Sequence, residues 1–143
     1  MKRDATIYAS ARPFADKNDC VVRAVMAATG CSYETASAML AAAGRKMGKG
    51  TFAETWRLVY DKYLGLEKLD IKAEFWTVAA FIAAHPKGSY IVHKKRHAFA
   101  VVDGILHDWE SGTRPGNRLE GVWLVTEKAK ERAGQFERLI MGN

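Results

Sequence analysis

The stretch His97-Ala98-Phe99-Ala100-Val101-Val102-Asp103-Gly104-Ile105-Leu106-His107-Asp108-Trp109 decides how this chain folds. Two apolar runs flank Asp103-Gly104, a dipeptide suited to a two-residue type I′ turn in which both central residues take positive φ. This reading predicts strands over His97 to Val102 and Ile105 to Glu110, paired as a hairpin. The turn sets the register. Val102 opposes Ile105, Val101 opposes Leu106, Ala100 opposes His107, Phe99 opposes Asp108, Ala98 opposes Trp109 and His97 opposes Glu110. Strand side chains alternate faces, so His97, Phe99, Val101, Leu106, Asp108 and Glu110 share one side and Ala98, Ala100, His107 and Trp109 the other. His97 and Asp108 become diagonal neighbours, roughly 7 to 8 Å apart at the backbone, a span that an imidazole and a carboxylate can close.

Working outward, Tyr90 to Lys94 and Gly121 to Thr126 read as further strands, and Ser111 to Glu120, with Gly112, Pro115 and Gly116, reads as a loop. The front half is helical. A helix is predicted from Asp19 to Ala28 with Asn18 as N-cap and Gly30 as stop, apolar on almost every side and therefore buried. Ser32 caps a second helix through Ala43, and Thr51-Phe52-Ala53-Glu54 has the form of a capping box opening a third. Thr77 caps a short fourth helix through Ala84, and Lys128 to Ile140 reads as a terminal amphipathic helix. The expected fold class is α+β, a helical N-terminal half packed on a C-terminal antiparallel sheet.

The chain has 143 residues, 48% of them hydrophobic, which suits one domain over 1–143. The N-terminus leads into no apolar signal region and no uninterrupted apolar run nears the roughly 20 residues of a membrane span, so no membrane partner is expected. Cys20 and Cys31 stand about 16 Å apart along one helix, too far for a disulfide. Two free thiols fit a reducing compartment, and the cytoplasm is the expected location. Net charge is +6, with basic residues gathered in Gly44 to Gly50 and in His93 to His97, a distribution that fits either a solvated face or an acidic partner. No Cys-x-x-Cys, His-x-x-x-His, phosphate-loop or dinucleotide pattern occurs, so neither a metal nor a cofactor is expected.

Chemistry concentrates on Cys20, which opens the apolar helix Asn18-Asp19-Cys20-Val21-Val22-Arg23-Ala24-Val25-Met26. A helix N-terminus presents unpaired N–H groups and the positive end of the macrodipole, both of which favour thiolate over thiol. With His97 as base and Asp108 as orienting acid, Cys20 has the parts of a thiol nucleophile for acyl transfer, and helix-start N–H groups can stabilise the oxyanion. Glu110 is the alternative acid. Lys94, Lys95, Arg96 and Trp109 are candidates for lining the substrate cleft. Cys31 reads as structural, and His85, His93 and His107 as secondary candidates.

The Asn18-Asp19-Cys20 helix start together with His97 to Trp109, in the order cysteine, histidine, acid, resembles the papain-like cysteine peptidases, in particular the small double-glycine leader peptidase-like proteins. That resemblance implies a papain-like fold with the site between its halves. It gives Cys20, His97 and Asp108 the roles of nucleophile, base and orienting acid, acting on a peptide or isopeptide bond. Small proteins of this form also occur among phage-encoded proteins, and CHAP-type amidases are a related possibility. The family's oxyanion glutamine has no counterpart: the position six residues before Cys20 is Phe14, and the only glutamine is Gln135. Asn18 is the candidate substitute. The alternative reading is a catalytically weak or inactive papain-like module whose basic cleft binds an acidic protein or nucleic acid.

Overall fold

In the computed structural model, which describes residues 1–10 and 18–142, the chain runs through β1 (Lys2–Asp4), α1 (Thr6–Ala9), α2 (Cys20–Thr29), α3 (Tyr33–Ala42) and α4 (Ala53–Leu58). A π-helical turn over Val59–Tyr63 extends α4, and β2 (Glu67–Lys68), a 3-10 turn over Ala73–Phe75 and α5 (Val78–Ala84) follow. The chain then forms β3 (Ser89–Lys94), β4 (His97–Val102), β5 (Ile105–His107), β6 (Gly121–Val125) and α6 (Glu127–Met141). The architecture is mixed α+β, with most helices ahead of most strands.

The hairpin is built on Asp103 and Gly104, whose φ angles of 49° and 78° are those of a type I′ turn. Val102 pairs with Ile105, Val101 with Leu106 and Ala100 with His107, the register read from the sequence. There the ladder ends. Asp108 accepts from the N–H of Trp109 (2.7 Å) and of Thr113 (2.8 Å), and this local capture of backbone donors turns the chain out of the strand. The expected pairings of Phe99 with Asp108, Ala98 with Trp109 and His97 with Glu110 are therefore not formed, and β5 stops at His107.

β3 joins β4 on one side and β6 on the other, both antiparallel. The sheet order is β1-β5-β4-β3-β6-β2, with β1 parallel to β5 at one edge. On one face, Ile91, Ala98, Ala100, Trp123 and Val125 pack with Val21, Val22, Val25 and Ala28 of α2. Alanines at 98 and 100 let that helix lie close to β4. On the other face, Val92, Phe99, Val101, Leu106 and Val122 pack with Val78 and Phe81 of α5 and with Tyr8. Each fully buried valine, leucine or phenylalanine contributes about 1.5 to 3 kcal/mol relative to exposure.

Two helix starts have the expected caps, the hydroxyls of Ser32 and Thr77 accepting from the N–H of Thr35 and Ala80, and Thr126, expected as the end of a strand, caps α6 in the same way through the N–H of Ala129. Gly30, at φ 83°, stops α2. Two expected caps are corrected. Asp19, not Asn18, holds the N-cap position of α2, because the Asn18 carboxamide is drawn away to donate to the Gly48 carbonyl (2.8 Å). Phe52 stands at the start of α4, which has no side-chain cap, so the Thr51 capping box does not form.

The start of α2 is fixed by a buried charge pair. Arg23 Nε donates to Asp19 Oδ2 at 3.0 Å, with both side chains 0% exposed. Tyr33 of α3 donates to the same carboxylate oxygen (2.9 Å), and Arg23 Nη1 donates to the Ile7 carbonyl and to Ser10 Oγ. A charge at this depth is retained only when paired and hydrogen-bonded. Among the described residues, no helix is long and apolar enough to cross a membrane.

Candidate active site

Cys20 is the first residue of α2 and is half-buried. The first intrahelical bond runs from Arg23 N–H to the Asp19 carbonyl, so the N–H groups of Cys20, Val21 and Val22 precede the helical ladder. His97 opens β4 and lines the same cleft as Cys20. Its Nε2 meets Asp108 Oδ1 at 2.6 Å, which leaves Nδ1 as the nitrogen for Cys20. Asp108 is 0% exposed and has both oxygens occupied, Oδ1 by His97 and Trp109 N–H and Oδ2 by Thr113 N–H. The structure thus brings Cys20, His97 and Asp108 together in sequence as nucleophile-type thiol, imidazole and carboxylate.

Burial opposes charge on His97, but hydrogen bonds to Asp108 and Cys20 and the charges of both outweigh it, raising its pKa to about 9. Burial pushes the Asp108 carboxyl up, yet its bonds to His97 and Thr113 win and hold it below its ordinary value. The opposite fate befalls Cys31. It is 8% exposed and burial raises its thiol to about 11, which makes it inert at neutral pH.

Several residues that hold this arrangement have no signature in the sequence. Arg3 of β1 donates through Nη1 to the Trp109 carbonyl (2.7 Å) and through Nη2 to the Thr113 carbonyl, clamping the loop that carries Asp108. The buried Tyr8 hydroxyl donates to the Ala98 carbonyl (2.9 Å) and also lies 3.2 Å from the Cys20 carbonyl, joining β4 to the start of α2. The Tyr8 ring stands edge-on to Trp109 and His97, at 5.2 and 6.3 Å between centroids. A three-residue strand and a four-residue helix are too short for hydrophobic periodicity to reveal. Gly112, the loop residue packed on Asp108, was legible only as part of a turn-rich segment.

The cleft has a volume of about 390 Å³, and its walls include Asn18, Trp56, His93, Lys94, Arg96 and Trp109. Four sequence candidates, Asn18, Lys94, Arg96 and Trp109, are thus at the site. Lys95 is not: it is exposed on the turn between β3 and β4, where Arg96 takes φ 61°. Glu110 is not brought to His97 either; it is exposed and lines a groove beside β1. Lys94 donates to Asn117 Oδ1 (2.9 Å), and Glu120 also lines the cleft, so its rim carries both signs of charge. Phe14, at the place of the family glutamine, lies outside the described residues, and Gln135 is exposed on α6. His107 is displaced from the site beside Asp4, and His85 stacks on Phe81. His93, by contrast, is a cleft residue.

Among the described residues, no group of three or more His, Cys, Asp or Glu side chains is placed to hold a metal ion. Comparison with known protein families, curated proteins and solved structures finds no match to this chain. The chemistry of the site therefore rests on its own geometry.

Proposed function

We propose that this protein is a papain-like cysteine hydrolase that cleaves a peptide or isopeptide bond through an acyl-enzyme. The observation that carries the reading is the 2.6 Å bond from His97 to a fully buried Asp108 that is itself held by two backbone N–H groups, with Cys20 at a helix start in the same cleft as the imidazole. An isolated buried cysteine needs no such support. A carboxylate held by two backbone N–H groups and aimed at a single imidazole is the orienting group that thiol acyl transfer uses.

In the proposed reaction, the Cys20 proton passes to His97 and the sulfur attacks the substrate carbonyl carbon. The oxyanion is met by the Cys20 N–H, and the Asn18 carboxamide, which gives one hydrogen to the Gly48 carbonyl, is the proposed second donor through its other hydrogen. The C–N bond then breaks as His97 gives its proton to the departing amine, leaving a thioester on Cys20. Water attacks that thioester, losing its proton to His97; the acid product leaves and the thiol is regenerated. Asp108 keeps the ring oriented and stabilises imidazolium throughout. The substrate is a peptide or protein, with Arg96 on the cleft rim favouring acidic segments, and the reducing cytoplasm is the proposed setting for a free thiol.

The test is turnover of a peptide library by wild-type protein, Cys20→Ala and His97→Ala, read by mass spectrometry of the products. Cleavage by wild type alone is the expected result. Turnover retained in Cys20→Ala, or absent in all three while acidic peptides or nucleic acid bind the cleft in a salt-dependent way, sinks the hydrolase reading in favour of a binding module.

A further inference from the structure

His93 occupies the cleft in an arrangement the proposed mechanism does not use. It pairs across the sheet with Ala98, next to His97, and is 8% exposed. Tyr60, buried beneath it, places its hydroxyl 2.7 Å from His93 Nε2. That hydroxyl has no other partner among the described residues, and burial holds the phenol firmly protonated. If Nε2 carried the hydrogen, the phenol hydrogen would be buried with no acceptor, so Tyr60 donates and Nε2 accepts. The ring hydrogen is then on Nδ1. Nδ1 has no partner among the described residues and is not among the sealed polar atoms, so it opens on the cleft. Burial keeps the imidazole neutral, with the charges of His97 and Arg57 acting the same way. Trp56 lies against the ring at 4.2 Å and also lines the cleft.

We infer that His93 and Trp56 form a recognition subsite beside Cys20, which takes a substrate side chain ending in a carbonyl-type acceptor, a carboxamide or carboxylate. Nδ1–H donates to that acceptor and Trp56 covers its flat face. Tyr60 is a positioning residue that fixes the tautomer from below. The inference rests on the hydrolase reading, since it names the group presented next to the attacked bond. It also sets a preference opposite to the one an aromatic-walled cleft would otherwise show, which is for apolar side chains.

Two chloroacetamide probes test it, one carrying asparagine and the other its near-isostere leucine beside the electrophile, with the alkylation rate constant at Cys20 read by peptide mass spectrometry. The wild-type protein is expected to favour asparagine roughly tenfold, the scale of one hydrogen bond. The ratio should fall to about one in His93→Leu and survive in His93→Asn, whose amide nitrogen stands near the place of Nδ1. Because each variant is scored by its own ratio, a change in overall reactivity does not enter. A wild-type ratio at or below one overturns the subsite and leaves the hydrolase reading intact, without recourse to any variant. A preference that persists in His93→Leu overturns the assignment to His93. Failure of Cys20 to react with either probe or with iodoacetamide overturns the hydrolase reading and the subsite with it.

Discussion

Gly112 lies so close to Asp108 that a Cβ on it would stand 2.6 Å from Oδ2, 2.7 Å from Cγ and 2.9 Å from Oδ1. Its role is close approach. The carboxylate that orients His97 is walled by backbone, and a methyl group there must move either the loop or the acid. Gly112→Ala is expected to cost about 1 to 3 kcal/mol of stability. It should also slow turnover on the order of tenfold or more, because the triad geometry is disturbed at its anchored end. Gly116→Ala, in the same loop with nothing within 4 Å of the added carbon, is the control and should match wild type. Denaturation midpoints and library turnover on both variants decide the matter; wild-type behaviour from Gly112→Ala would mean that Asp108 has room to spare.

The two thiols should part company in their reaction with iodoacetamide. Cys31 is buried with its thiol raised to about 11, whereas Cys20 is half-buried in the cleft beside His97. At pH 7 Cys20 is expected to label at least about 100-fold faster, since the thiolate is the reacting form. His97→Ala should slow Cys20 by roughly tenfold or more, and Asp108→Asn by less, because the ring remains but loses its orientation. Peptide mass spectrometry separates the sites. Equal, slow labelling of both cysteines removes the chemical basis of the nucleophile.

What the sequence disclosed and what it hid divide along physical lines. The Asp103-Gly104 turn fixed three ladder pairs and the faces of β4, because turn chemistry and period-two alternation are local signals. The same logic carried the strand past its end. Asp108 collects the N–H groups of Trp109 and Thr113, and nothing local in the sequence says that a carboxylate will outcompete the ladder. Cys20, His97 and Asp108 were legible from helix start and hairpin, whereas Arg3 and Tyr8 act across the fold from elements too short to show periodicity. His93 stood only as a secondary candidate because its neighbours in space, Tyr60 and Trp56, lie far away in the chain.

Tyr8 illustrates how such a hidden residue is tested. Its hydroxyl donates to the Ala98 carbonyl and approaches the Cys20 carbonyl, so it ties the strand of the base to the helix of the thiol. Tyr8→Phe keeps the ring and its packing on Trp109 but leaves a buried carbonyl without its donor, at an expected cost of about 1 to 2 kcal/mol. The positioning role is read separately from stability. At a temperature where the variant is fully folded, its Cys20 alkylation rate should still fall several-fold and its pH profile shift, whereas a purely structural hydroxyl would leave both unchanged.

The pH dependence of stability follows from two histidines shifted in opposite directions. His93 is held to about 3, against 6.5 when unfolded, by burial and by the charges of His97 and Arg57. Below pH 6.5 the unfolded chain takes up a proton that the folded site refuses, so stability falls with falling pH across that window, by on the order of several kcal/mol. His97 is raised to about 9, so the folded state keeps a proton that the unfolded chain has lost, and its contribution is full below 6.5 and disappears as pH rises towards 9. Asp108, held below 3.8, adds to the acid loss as pH falls through its own range, and Cys31, raised to about 11, extends the alkaline loss. The expected profile is a dome with its maximum at about pH 6.5. Guanidinium midpoints from pH 4 to 9 measure it. His93→Asn should flatten the acid limb and spare the alkaline one, while His97→Gln should do the reverse; a variant that shifts the whole curve without changing either slope would show that the histidine it replaces does not titrate differently on folding.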